Sequence, residues 1–194
     1  MNRNDAFDLV KQYVKNKNLI NHMLAVESAM AFYAKDLNQN EEIWRITGLL
    51  HDFDWEIHPT LEDHPVKGEP ILIKNHVPEE IIHAIMSHSN QSGIFRVALL
   101  DKGLYACDEI TGLISAVAII RPSKSLYDLT VNSVKKKWKD KAFAAGANRE
   151  EIELATSDFR IELWEHISNV IFAMQEIAPL LNLAGNLNPP STGY

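Results

Sequence analysis

Apolar residues recur along this chain at intervals of three and four, and the polar residues between them cluster where helices would begin and end. Over residues 40–52, Ile43, Ile46, Leu49 and Leu50 share one side of a helix that opens at Asn40, with Glu41 and Glu42 in its first turn. Leu19, Met23, Val26, Ala29, Met30 and Tyr33 make a second stripe, Ile81 and Ile85 a third, and Leu100, Leu104, Cys107, Thr111 and Ile114 a fourth. Leu163, Ile167 and Val170 make another near the C-terminus. No stretch alternates apolar and polar residues between hairpin turns. The pattern predicts an all-α bundle, with helices over about 4–15, 18–36, 40–53, 65–75, 78–89, 97–119 and 126–138 and a final pair within about 148–182. Asn18 and Asn40 read as N-caps, His64 as the cap of a helix with Pro65 in its first turn, and Pro78-Glu79-Glu80 as a proline-and-acid opening.

With 194 residues and 46% hydrophobic content the chain can bury one sizeable core. Residues 1–185 read as a single helical domain, with a core over about 18–125 and a C-terminal helical extension over about 126–185; residues 186–194 read as a flexible tail. The net charge of -7 opposes binding to a phosphate backbone, so no nucleic-acid partner is expected. A single cysteine, Cys107, excludes a disulfide framework and a thiolate metal cage. Neither the opening MNRNDAFDLVKQYV nor any later segment reads as a signal peptide or a membrane span, which leads to the expectation of a cytoplasmic protein without a membrane partner.

Several inward positions of these stripes are not apolar. His22 lies on the second stripe, His88 on the third, Asp108 on the fourth and His166 on the last. The stretch GLLHDFDWE sets acids at the C-terminal end of the third helix, where exposed carbonyls already favour cations. An inward Asp108 must be paired, neutralised or bound to a cation, with Arg45, Arg96 or Lys102 as candidate ion-pair partners. Imidazoles and carboxylates on facing helices are how bundles build metal sites. One or two divalent cations beside His51, Asp52 and Asp54 would supply the positive charge that this helix end lacks. His166 has no acid near it in sequence and reads as a core residue, while His58, His76 and His83 read as surface or loop residues.

Taken in order, His22 in NHMLAVE, His51-Asp52 in GLLHDFDWE and Asp108 in YACDEITGLI resemble the signature of the HD superfamily of metal-dependent phosphohydrolases. His64 in HPVKGEPIL and His88 in AIMSHSNQSG resemble the extra ligand segments of HD proteins that hold two metals, the bacterial diadenosine-tetraphosphate hydrolases among them. The resemblance spans roughly residues 18–125, and KKKWKDKAFAAGANREEIE beyond it is similar to the C-terminal part of a set of prokaryotic HD proteins. It implies a single HD-domain helical bundle in which Asp52 bridges two ions, with His22, His51 and Asp108 on one and His64 and His88 on the other.

Two such ions could share a hydroxide of lowered pKa and hold phosphoryl oxygens during in-line attack. Six protein ligands would leave positions open for water and substrate, and histidine with carboxylate suits Fe, Mn, Co, Ni or Zn. The expected function is metal-dependent hydrolysis of a small phosphate ester or nucleotide, with Asp52 as the catalytic residue. A di-iron oxygenase and a non-catalytic nucleotide-binding regulatory module are the alternatives. For the phosphate of a small phosphorylated substrate the sequence offers Arg121 and Lys124 in AIIRPSKS, and Lys67 soon after His64. Lys135, Lys136, Lys137, Lys139 and Lys141 surround Trp138 in a run of the kind that usually forms a solvated helix face. Asp54 and Glu56 are candidates to orient waters or ligand imidazoles.

Overall fold

Side-chain caps set where most of the helices begin. In the computed structural model, Asn2 opens α1 (Arg3–Tyr13), Asn16 opens α2 (Lys17–Asp36) and Asn40 opens α3 (Glu41–Leu50), each with its side-chain oxygen accepting backbone N–H groups of the first turn. A 3-10 turn at Val66–Gly68 leads into α4 (Glu69–Lys74), which is followed by α5 (Glu79–His88). After a second 3-10 turn, Asn90–Ser92, come α6 (Leu99–Ile120), α7 (Val131–Trp138), α8 (Arg149–Asp158, capped by Asn148) and α9 (Leu163–Glu176, capped by Glu162). The structure describes residues 1–140 and 142–189, and contains no strand among them. Lys141 of the basic run and residues 190–194 of the expected tail lie outside the described residues.

Three local expectations change. Asn18 sits inside the first turn of α2, and its N–H is received by Asn16 two residues earlier, which is the actual cap. The helix expected over 65–75 is divided between the 3-10 turn and α4, and His64 does not cap it because its side chain is buried. Residues 126–130 are not helical: the Leu126 N–H bonds to Leu183 O at 2.7 Å, which ties this segment to the chain beyond α9.

Helix α2 packs against α3, α6 and α9, and α6 against α5 and α8. The α2–α3 crossing is close because Gly48 has no side chain; a Cβ there would lie 2.9 Å from Glu27 N and 3.0 Å from Val26 C. Beside it, Glu27 is 2% exposed and is held by Arg3 (Nε–Oε1 2.8 Å, Nη2–Oε2 2.8 Å) and by Arg45 (Nε–Oε1 3.0 Å), so its charge is buried but paired and ties α1 and α3 to α2. Two apolar cores result. The larger, with Met30, Tyr33, Leu104, Ile114, Val170 and Met174, lies among α2, α6 and α9; the smaller, with Leu9, Val10, Met23, Leu49, Phe53 and Ile85, lies among α1, α2, α3 and α5. By length and composition α6 is apolar enough to cross a membrane, contrary to the sequence expectation, but 61% of that stretch is buried inside the protein as its central helix.

Candidate metal centre

Four helices and one irregular segment deliver six polar side chains to the same place. His22 comes from α2, His51 and Asp52 from the end of α3, His88 from the last position of α5, Asp108 from the middle of α6, and His64 from the segment before the first 3-10 turn. Phe53, fully buried in the smaller core, anchors the turn that follows His51-Asp52. The six form two groups, His22 with His51 and Asp108, and His64 with His88 and Asp52.

Asp52 faces both groups with different oxygens. Its Oδ2 lies 3.4 Å from His51 Nε2 and 3.7 Å from His22 Nε2, while its Oδ1 lies 3.2 Å from His64 Nε2 and 3.6 Å from His88 Nε2. Asp108 Oδ1 completes the first group at 3.0 Å from His22 Nε2 and 3.4 Å from His51 Nε2. The expected ion-pair partners of Asp108 are engaged elsewhere: Arg45 with Glu27 and Glu41, Arg96 with Ser87 O and Asn90, and Lys102 with Asp158.

The hydrogen bonds behind the imidazoles test whether this set fits a metal. His51 Nδ1 lies 2.8 Å from Gly48 O and His88 Nδ1 lies 2.5 Å from Ile85 O; a carbonyl can only accept, so both protons sit on Nδ1. His64 Nδ1 faces Asp54 Oδ1 at 2.8 Å, and His22 Nδ1 faces the Thr111 hydroxyl at 3.3 Å, whose own proton goes to Asp108 O at 2.8 Å. In the neutral rings every Nε2 is therefore a lone pair. Yet His22 and His51 bring these atoms within 3.1 Å of each other, and His64 and His88 within 3.2 Å. Facing acceptors at that distance need a cation or a proton between them. Metal–nitrogen bonds of about 2.0–2.1 Å place neighbouring ligands about 3 Å apart, so the donor set fits divalent transition metals.

Titration behaviour expresses the same demand. Burial works against a charged His51, but the adjacent Asp52 and Asp108 outweigh it and raise its pKa well above the ordinary value. Burial opposes the charge on both carboxylates too, yet His51 and its imidazole neighbours hold Asp52 and Asp108 well below the usual range. His64, whose burial is outweighed by hydrogen bonds to Asp52 and Asp54, is raised to about 9. Beside the cluster, burial first and the Asp108 charge second push Glu109 up to about 7; a cation on Asp108 would remove the second cause.

Asp54 is fully buried, and only its Oδ1 is bonded, to His64. Its Oδ2 has no hydrogen-bond partner among the described residues and rests against Gly68, where a Cβ would lie 2.8 Å from it. Glu56 has a different role from the one expected, since it receives the N–H groups of Lys15 and Asn16 and so braces the α1–α2 link. His166 is a core residue, with Nδ1 2.6 Å from the Tyr33 hydroxyl and Nε2 2.8 Å from Ala106 O. His76 is exposed, and His83 pairs with Asp101 Oδ2 at 3.1 Å.

The cluster opens into a cavity of roughly 630 Å³ whose wall includes Trp55, Tyr105, Glu109, Asn148 and Glu151. No motif or helical stripe in the sequence singles out any of these five as functional. The expected phosphate-binding residues do not line the cavity. Arg121 lies at the end of α6, roughly 20 Å from Asp108 at about 1.5 Å per helical residue, and its guanidinium is taken up by Asp128 Oδ2 at 2.6 Å and Ser133 Oγ at 2.8 Å. Lys124 follows it at the same end with φ 48°. Lys67 pairs with Asp63 at 2.9 Å on the surface.

Among curated proteins and among solved structures, none matches the chain. A family model does: the HD domain, over residues 19–113, a span that contains all six side chains of the cluster. The matched span is 95 of the 194 residues, just under half of the chain, so this part of the chain is similar to HD domains.

Proposed function

We propose that the protein is a metal-dependent phosphohydrolase acting on a small phosphate ester or nucleotide, with His22, His51, Asp52 and Asp108 holding one divalent transition metal and Asp52, His64 and His88 a second. The observation that carries this reading is Asp52, whose two oxygens face two separate sets of imidazoles at the wall of an open cavity. When bound, two such ions supply a water of lowered pKa and Lewis-acid contacts to phosphoryl oxygens. The chain contributes fixed donors. Gly48 O, Ile85 O, Asp54 and Thr111 hold the four rings with Nε2 inward, so little reorganisation remains when substrate arrives. Trp55, edge-on to His64 with ring centroids 4.9 Å apart, forms an apolar wall that limits water access beside Asp52.

The test is metal content and turnover measured together. After gentle purification and loading, elemental analysis should approach two equivalents, and p-nitrophenyl phosphate or another phosphate ester should be hydrolysed. Asp52→Ala should lose both, because it removes the one side chain shared by the two groups. Failure to bind metal under any loading condition would refute the reading. Turnover that requires dioxygen and reduced iron would replace it with an oxygenase, since two histidines and a carboxylate also suit non-haem iron.

A further inference from the structure

The remainder of the cavity wall narrows the substrate, on the reading that the centre hydrolyses a phosphate ester. Asn148, which caps α8, clips two carboxylates together: its backbone N–H donates to Glu109 Oε2 at 3.3 Å, and its side-chain Nδ2 donates to Glu151 Oε1 at 3.1 Å. Neither carboxylate has another hydrogen bond among the described residues, and both line the cavity. No lysine or arginine does so among the described residues. Arg96 touches the back of this wall but is held by Ser87 O and Asn90 Oδ1, both at 2.8 Å, and stacks on the Tyr105 ring at 3.6 Å.

The charges decide what can sit there. The four positive charges of two divalent ions would meet the carboxylates of Asp52, Asp54, Asp108, Glu109 and Glu151, so a cavity holding both ions is not strongly positive. A chain of several phosphates would find no protein cation along this wall among the described residues and would meet two carboxylates. A single phosphate joined to a positively charged group would find a partner for each end. We infer that the substrate is a phosphate monoester whose alcohol part bears a cationic nitrogen, received by Glu109 and Glu151. In its hydrolysis a water oxygen bonds to phosphorus, the ester P–O bond breaks, and a proton from that water ends on the departing alcohol oxygen. The products are inorganic phosphate and an amino alcohol.

A series of ω-aminoalkyl phosphates of increasing length, each compared with the ω-hydroxyalkyl phosphate of the same length, measures this directly on the fully metallated protein. At the best length kcat/KM should favour the amine tenfold or more, about 1.4 kcal/mol. The advantage should shrink with added salt. In Glu151→Gln the ratio of the two esters should collapse towards one, with elemental analysis showing both metals still in place. The inference is overturned if both esters are hydrolysed with no amine preference at any length, or if the preference survives in Glu151→Gln. Faster turnover of tripolyphosphate than of every monoester overturns it as well. If metal-loaded protein hydrolyses none of these, nor p-nitrophenyl phosphate, the phosphohydrolase reading itself fails and this inference with it.

Discussion

Replacing Gly68 with alanine perturbs one half of the candidate metal centre without touching any of its six side chains. The new Cβ would lie 2.8 Å from Asp54 Cγ and 2.8 Å from Asp54 Oδ2, whereas ordinary contact begins at 3.4 Å, so the carboxylate has to recede by about 0.6 Å. It has no free space in which to do so, being fully buried, and its Oδ1 is the group that fixes His64 Nδ1 at 2.8 Å. Overpacking of this kind costs about 1–3 kcal/mol, which for a chain of this size lowers Tm by roughly 2–12 °C. Misplacing the partner behind a ligand imidazole weakens metal binding by about 10- to 100-fold. Gly68→Ala should therefore keep the ion held by His22, His51 and Asp108 while losing or weakening the one held by His64 and His88. Titration calorimetry with stoichiometry checked by elemental analysis reads both ions separately. Two ions bound with wild-type affinity would refute the argument that Asp54, wedged against Gly68, sets His64.

Two further outcomes concern protons. Burial holds His166 neutral, with a pKa of about 4 in the folded protein against about 6.5 unfolded, so the folded state resists a proton that the unfolded state accepts. Stability should fall as pH drops from about 6.5 to about 4, by about 3 kcal/mol in total, and urea denaturation of His166→Gln should lack that part of the slope while retaining metal; an identical slope in the variant would refute this. At the candidate metal centre His51 and His64 have raised values, that of His64 about 9, so ions binding there at neutral pH would displace protons and apparent affinity should increase with pH up to about 9. Binding enthalpies that do not vary with the ionisation enthalpy of the buffer would contradict it.

What could be read from sequence follows from what periodicity encodes. His22, His88 and Asp108 interrupt apolar helical stripes, and His51-Asp52 closes a helix with acids, so each breaks a local rule visibly. His64 breaks no such rule because it precedes an irregular turn, and only the resemblance to other proteins singled it out. The wedge of Asp54 against Gly68 is a contact across fourteen residues of irregular chain that no pattern announces. The carboxylate pair at Asn148 depends on how the start of α8 packs on α6, which local sequence does not express. Arg121 follows the helix that bears Asp108, but α6 runs 22 residues and carries the two apart, and its partner Asp128 sits in a loop where the pattern predicts helix.

The two apolar cores have a consequence for how the molecule opens and closes. Asp108 stands on a helix of the larger core, while His51, Asp52 and His88 stand on helices of the smaller one, and α2, which bears His22, contributes to both. Each core is the kind of unit that can loosen on its own in a sub-global fluctuation. The six side chains form a single set only while both units are formed and docked. A chain with one unit loosened would keep most of its helical content but hold an incomplete set of donors, so the complete cluster belongs to the finished molecule and not to its partly folded forms. Bound metal would then act as a check on assembly, favouring the state in which the two units are joined over every state in which they are apart.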